Sequence, residues 1–345
     1  MSVENYTTLG ESGLSISKII VGCMSFGSSQ WMDWIIEDED KVMEILYKCY
    51  QSGLTTFDTA DVYSNGLSEK LLGKFIKKYN IPRGEIVILT KCFFPTDPQN
   101  LSLKVGPTTR TFHLNNGGLS RKHIIQAARD SVERLGTYID VLQIHRIDKT
   151  PKREIMKALN DVVDEGLARY IGGSAMKAFE FVELQALAES NGWHKFISMQ
   201  NYYNLLYREQ EREMIPFCQD NTTLGKVACI PYSPLARGLL GKPVKSETST
   251  RSRSDGHKKA GQLYFTEGEG ADIEIINRVE EIARKRGVSM ANVSIAWVLS
   301  KGCFPIIGFN SVERVEDAVN SFSLELTKDE IEYLEKPYVP KPSVT

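Results

Sequence analysis

Short apolar runs alternate with amphipathic stretches along most of the chain. "SKIIVG" (17–22) is nearly continuous in apolar residues, and "DEDKVMEILYKCYQSG" after it sets Val42, Ile45, Leu46 and Cys49 three or four positions apart. The first has the character of a buried strand. The second has one helical face, ended by Gly53. The pairing then repeats. "LTTFD" (54–58) precedes the helical "LSEKLLGKFIKKY", and "EIVILTK" (85–91) is almost uninterrupted. "LSRKHIIQAARDSVERLG" starts on the N-cap candidate Ser120 and aligns Ile124, Ala128, Val132 and Leu135. "IDVLQIH" (139–145) leads into "TPKREIMKALNDVVDEG", with Thr150 as cap, Pro151 at the first helical position and Gly166 as stop. "RYIGGS", "FISMQN", "VACIPY" and "CFPIIG" (303–308) supply the fifth to eighth strands.

Strands this apolar are expected where a parallel sheet is covered on both faces. Eight alternations without a shift in composition predict an α/β chain folded as one (β/α)8 TIM barrel, a single domain over residues 1–345. A doubly wound sheet is the alternative. It usually opens with a GxGxxG turn, and the first turn here reads "VGCMSFGSS". Two long segments interrupt the rhythm, at 95–119 and 243–270. Both follow strands, which puts them on the C-terminal face where barrel enzymes keep their active sites. The second is expected to be mobile and to order over a ligand.

Composition narrows the function classes. A length of 345 residues suits one barrel, and 41% hydrophobic residues provide a sizeable core. A net charge of −2 gives no reason to expect a nucleic-acid or membrane-surface partner. No apolar run approaches the roughly 18 residues of a membrane span. The start, "MSVENYTTLGESG", is unlike a signal peptide, and six scattered cysteines without a CxxC pair are expected to be reduced thiols. A cytoplasmic protein is the expectation.

Candidate chemistry collects at the strand ends. Asp58 closes the second strand with Tyr63 just beyond it, Lys91 closes the third, and His145 the fourth. Taken singly, these read as a turn residue, a half-buried aromatic, a snorkelling lysine and a core histidine. Taken together at one barrel rim, they read as a proton-transfer site. Lys91 next to Tyr63 is expected to lower the phenol below its usual pKa of about 10, making it a usable acid. Asp58 holds the lysine, and His145 orients a carbonyl oxygen. Asp61 is left as a turn residue. No ligand cluster in the sequence requires a metal.

With these residues in place the chain resembles the aldo-keto reductases. The matching stretches include "FDTADVYSNGLSEKLLGKFI", "ILTKCF", "IDVLQIHRID", "RYIGGS", "IPYSPLARGLLGK" and "VSIAWVLSKG", in family order. "NYYNLLYREQEREMIPFC" and "YLEKPYVP" resemble the aryl-alcohol dehydrogenase-like branch. The resemblance implies NADP(H)-dependent reduction of aldehydes or ketones, with NAD(H) less favoured, and Asp58, Tyr63, Lys91 and His145 as the catalytic tetrad. It implies that Ser174, Gln200 and Asn201 meet the carboxamide and that Tyr232 stacks on the nicotinamide. Ser233, Leu235 and Arg237 would then wrap the pyrophosphate, and Gly308, Arg314 and Asp317 would meet the adenosine end.

There are departures from the family pattern. Ala175 stands where many relatives have asparagine or serine, and "IIGFNSVER" lacks a basic residue close after its glycine. Arg251 and Arg253 are candidates to supplement Arg314. Trp31 and Trp34 are expected to wall the pocket for a small carbonyl or alcohol substrate, although exposed tryptophans would equally suit a contact in a homo-oligomer. Two other functions stay open: a cofactor-binding regulatory subunit resembling the potassium-channel β-subunits, and a phosphate-sugar enzyme on the same barrel.

Overall fold

A computed structural model describes residues 2–104, 114–244 and 270–343. The chain opens with an antiparallel hairpin, β1 (Tyr6–Thr8) and β2 (Ser15–Ser17). Sequence pattern did not reveal it, because its strands are short and carry hydroxyl residues. Leu9 and Ile16 of the hairpin are fully buried with Ile20, Val87, Leu89 and Ile230. The hairpin therefore plugs the barrel at the end where its strands begin.

Eight parallel strands follow: β3 (Ile20–Gly22), β4 (Thr56–Asp58), β5 (Val87–Cys92), β6 (Ile139–Ile144), β7 (Ala168–Ser174), β8 (Phe196–Gln200), β9 (Ala228–Cys229) and β10 (Ile306–Gly308). They pair in chain order from β3 to β9, with β10 beside β3. The ring closes between β9 and β10 through Phe304 N to Cys229 O and Ile306 N to Pro231 O, both 2.9 Å. This is a (β/α)8 barrel. β9 and β10 are shorter than the apolar runs at 227–232 and 303–308, since Pro231 and Pro305 have no N–H for the ladder.

Helices cover the outside. α1 (Glu39–Gln51) is capped by Asp38, which accepts from Lys41 N at 3.1 Å, and buries Val42, Ile45, Leu46 and Cys49 as its spacing predicts. α2 (Leu67–Lys78) follows β4. α3 (Arg121–Leu135) is capped by Ser120 and ended by Gly136 at φ 69°. In α4 (Lys152–Asp164) the cap is Pro151, one position later than expected. α5 (Ala178–Asn191) and α6 (Met214–Asp220) follow β7 and β8. Among the described residues two helices, α7 (Gly270–Arg286) and α8 (Met290–Ser300), lie between β9 and β10. The chain ends with α9 (Val312–Val319) and α10 (Lys328–Glu335).

The main core lies between sheet and helices. Among the described residues no helix is long and apolar enough to cross a membrane. All six cysteines are buried free thiols. The expected ordering of segment 243–270 over a ligand falls largely on residues outside the described ones, as do Arg251 and Arg253.

Candidate active site

At the C-terminal ends of the strands lies a cavity of about 590 Å³. Asp58, Tyr63 and His145 line it. Lys91 lies behind them, 0% exposed. Its ammonium uses all three donors: 2.5 Å to Asp58 Oδ1, 2.8 Å to the Thr59 carbonyl and 3.3 Å to Tyr63 Oη. Asp58 Oδ2 accepts from Gln143 Nε2 at 3.0 Å and Gln200 Nε2 at 2.9 Å. Every polar atom of the buried ion pair thus has a partner, which is what keeps such a pair tolerable.

Tyr63 is delivered by a strained turn. Ser64, Asn65 and Gly66 all have positive φ, at 49°, 53° and 90°. Ser28 N donates to Ser64 Oγ at 3.1 Å, and Asn65 Nδ2 donates to the Leu103 carbonyl at 3.0 Å. Asp61 N donates to the Lys91 carbonyl at 3.1 Å, which ties the start of the turn to β5. His145 continues β6, its N–H donating to the Cys92 carbonyl at 3.0 Å. Its ring stands edge-on to Tyr63, with centroids 5.9 Å apart, and its Nδ1 has no hydrogen-bond partner.

The electrostatics correct one expectation. Burial raises the Tyr63 phenol above its ordinary value, and Lys91 lowers it by less, so the net shift is upward. Desolvation outweighs the cation because the whole turn is packed into the rim. Burial pulls Lys91 down, but Asp58 and then Tyr63 more than offset it, and the ammonium is held charged. His145 is pushed well below its ordinary value by burial, then by Lys91 and Arg146, so its ring is neutral.

The other predicted residues divide. Ser174, Gln200, Tyr232, Ser233, Leu235, Arg237, Gly308, Arg314, Trp31 and Trp34 all line the cavity. Asn201 and Asp317 do not. Asn201 Nδ2 donates to Gln210 Oε1 at 2.7 Å, and the Asp317 carboxylate accepts from Ser289 Oγ at 2.8 Å and Asn292 Nδ2 at 3.0 Å, joining α9 to α8. Trp31 is 1% exposed and Trp34 is half-buried, so Trp31 offers no surface to a subunit contact.

One part of the cavity lining has unusual backbone geometry. Ser233, Ala236, Arg237 and Gly238 have φ of 53°, 45°, 60° and 102°, the last three consecutive, and left-handed residues of this kind turn backbone N–H groups towards anions. At the strand ends a Cβ on Gly22 would lie 3.0 Å from Ile306 Cγ2, and one on Gly308 would lie 3.3 Å from Ser25 Oγ. Glycine keeps this part of the cleft open. Arg314 and Lys242 line the cavity without an ion pair among the described residues.

The sequence model of the aldo/keto reductase family matches residues 18–338. The chain belongs to this family. Its members interconvert carbonyl and alcohol groups, and this aldo/keto reductase is an oxidoreductase of that kind. It is 52% identical over 341 residues, 97% of each chain, to versiconal hemiacetal acetate reductase of Aspergillus parasiticus. It is also 52% identical over 352 residues, 99% of this chain and 98% of the other, to the provisionally named aryl-alcohol dehydrogenase C977.14c of Schizosaccharomyces pombe. The provisionally named aryl-alcohol dehydrogenase AAD16 of Saccharomyces cerevisiae is 52% identical over 346 residues, 99% of each chain.

Sequence reasoning missed several residues in and behind this reductase's cavity. Gln143 is a buried glutamine inside the apolar run of β6, and that misplaced amide was a readable signal. Asp61 is no ordinary turn residue. It is 1% exposed, and burial followed by the charge of Glu69 pushes its carboxyl well above the usual range. Glu69, 0% exposed, accepts from Thr90 Oγ1 at 2.5 Å and Arg134 Nε at 2.6 Å. Met24, Met32, Phe94 and Arg146 also line the cavity.

Proposed function

We propose that the protein reduces aldehydes or ketones to alcohols with NADPH, Tyr63 acting as the general acid. The observation that supports this most strongly is the position of Lys91 Nζ, in contact with both Asp58 Oδ1 and Tyr63 Oη. The cavity fits a nicotinamide dinucleotide. Ser174 and Gln200 suit the carboxamide, Tyr232 the nicotinamide face, the turn from Ser233 to Gly238 the pyrophosphate, and Arg314 with Gly308 the adenosine end. Gln200 spends its Nε2 on Asp58 and on Gln143 Oε1, at 2.9 and 3.0 Å, so its Oε1 is the atom left to accept from an amide.

Such a cofactor, when bound, supplies a hydride to the carbonyl carbon. Tyr63 holds its proton because burial raises its pKa, and it delivers that proton to the carbonyl oxygen as negative charge develops there. The phenolate formed is then stabilised by the Lys91 ammonium, itself fixed by Asp58. His145, neutral, orients the oxygen by hydrogen bonding. Trp31, Trp34 and Phe94 enclose an aromatic substrate and exclude water.

The test is NADPH oxidation with a panel of aromatic and aliphatic aldehydes. Turnover that Tyr63→Phe lowers by several orders of magnitude, with cofactor binding retained, is the expected result. Cofactor binding without turnover on any aldehyde would overturn the proposal in favour of a regulatory role. Near-full activity in Tyr63→Phe would point to a different reaction.

A further inference from the structure

Two cations of the cavity, Arg146 and Lys242, have no place in the proton-transfer site or among the cofactor positions. Arg146 directly follows His145 and lines the cavity. It makes no hydrogen bond or ion pair among the described residues. The nearest acid in sequence is already engaged: Asp148 accepts from Leu119 N and Thr150 N, each at 2.9 Å. Asp58 is the one acid among the described cavity-lining residues, and it is held by Lys91 at 2.5 Å. Among the described residues, therefore, the positive charge of half-buried Arg146 is uncompensated.

The cavity that Arg146 lines has one apolar wall. Trp31, Trp34, Met24, Met32 and Phe94 form the wall on the Tyr63 side of the cavity. A half-buried guanidinium in the same cavity as an aromatic wall is costly when unpaired, and a planar carboxylate matches its fork of donors. A neutral aryl substrate would lie against that wall and leave the guanidinium unpaired.

We propose that Arg146 is a specificity-determining residue that selects carbonyl substrates carrying a carboxylate on an aromatic body. This rests on the carbonyl-reductase reading above. The aldehyde carbon is presented to Tyr63 and His145, the aryl ring lies against the tryptophans, and the carboxylate pairs with Arg146.

The experiment compares kcat/KM for 4-carboxybenzaldehyde and 3-carboxybenzaldehyde with that for their methyl esters, in the wild type, Arg146→Gln and Arg146→Lys. In the wild type at least one acid is expected to exceed its ester about tenfold or more, the range of a hydrogen bond to a charged group. Arg146→Gln is expected to lower that ratio by about 10- to 100-fold, chiefly through KM for the acid, with Arg146→Lys restoring part of it. General damage to the fold would lower acid and ester together and leave the ratio unchanged. A wild-type ratio at or below unity for both acids overturns the inference without recourse to any variant. So does an unchanged ratio in folded Arg146→Gln. If the esters are reduced and the acids are not preferred, only this inference fails. If neither acids nor esters react, the reductase reading fails and takes this inference with it.

Discussion

Gln200 Nε2 donates a 2.9 Å hydrogen bond to Asp58 Oδ2. The two residues end β8 and β4, four places apart in the eight-stranded ring, so the bond crosses the barrel interior. Gln143 of β6 lies between them and also bonds to both. The carboxylate that fixes Lys91 is itself fixed from the far side of the barrel. Gln200→Leu removes both donors and leaves a buried carboxylate oxygen with one partner. Its expected cost is about 1–3 kcal/mol of stability. Gln200→Glu should be worse, since it sets a second carboxylate beside Asp58. Thermal and denaturant unfolding check the order; a Gln200→Leu protein as stable as the wild type would refute it.

Lys91 and Asp58 form a buried pair, 0% and 3% exposed at the side chain. Lys91→Met strands the carboxylate and should cost about 3–5 kcal/mol. Adding Asp58→Asn removes the stranded charge, so the double variant should recover part of the loss. A double-mutant cycle by denaturant unfolding measures this. Strict additivity of the two single costs would contradict it. Neither variant should reduce aldehydes at the wild-type rate, because Tyr63 loses its cation in both.

The proposed reduction uses a protonated Tyr63, a charged Lys91 and a neutral His145, the forms that their shifts favour. Tyr63 is raised, so it stays protonated until the pH exceeds its ordinary value. His145 is lowered, so it does not gain a proton near its ordinary value. The kcat/KM for aldehyde reduction should therefore be flat from roughly pH 6.5 to 10 and decline above that. A midpoint between roughly pH 7 and 9 would show that the groups at this rim titrate in another order.

Much of the rim was legible because it violates the local rule. An aspartate, a lysine and a histidine ending apolar strands stand out, and Asp58, Lys91 and His145 do converge. What was not legible depends on distances along the chain that no periodicity carries. The direction of the Tyr63 shift depends on how completely the turn is packed. The closure from Cys229 to Phe304 joins two proline-interrupted runs too short to read as paired strands. Asn201 and Asp317 lie one residue or one turn from the cavity, and their neighbours Gln210, Ser289 and Asn292 claim them first. Asp61 looked like turn chemistry because Glu69 and Arg134, which surround it, are helix residues with no visible link to it.

Glu330 contributes to the acid limb of stability far from the site. Glu330, near the start of α10, accepts from Arg286 Nε and Nη2 at 2.8 and 2.7 Å, and these bonds hold its carboxyl down at about 2. Because the folded value is depressed, the stabilisation is fully present above the unfolded value of roughly 4.3 and is lost as pH falls towards the folded one. Glu330→Gln should lower Tm at neutral pH by a modest amount, as the Arg286 side chain is 34% exposed and screened. The difference from wild type should shrink steadily as pH falls from roughly 4.5 to 2. A difference independent of pH would assign the effect to packing.

Gly172 offers the most local test of how the barrel interior supports the rim. It belongs to β7, between Gln143 on β6 and Ser198 on β8. A Cβ added there would lie 2.4 Å from Ser198 Oγ and 3.0 Å from Gln143 Cγ. Both neighbours are 0% exposed, so neither has free space to retreat into. Overpacking of this kind costs about 1–3 kcal/mol. The functional consequence is specific, because Gln143 is the residue that bonds Asp58 Oδ2 at 3.0 Å. Gly172→Ala should therefore lower both Tm and kcat. Combining it with Ser198→Ala, which deletes the nearer clashing atom, should recover more of the Tm than of the kcat. The reason is that the 3.0 Å approach to Gln143 persists in the double variant. Unfolding curves and single-turnover rates for the three variants decide it, and full recovery of both quantities would place the strain on Ser198 alone.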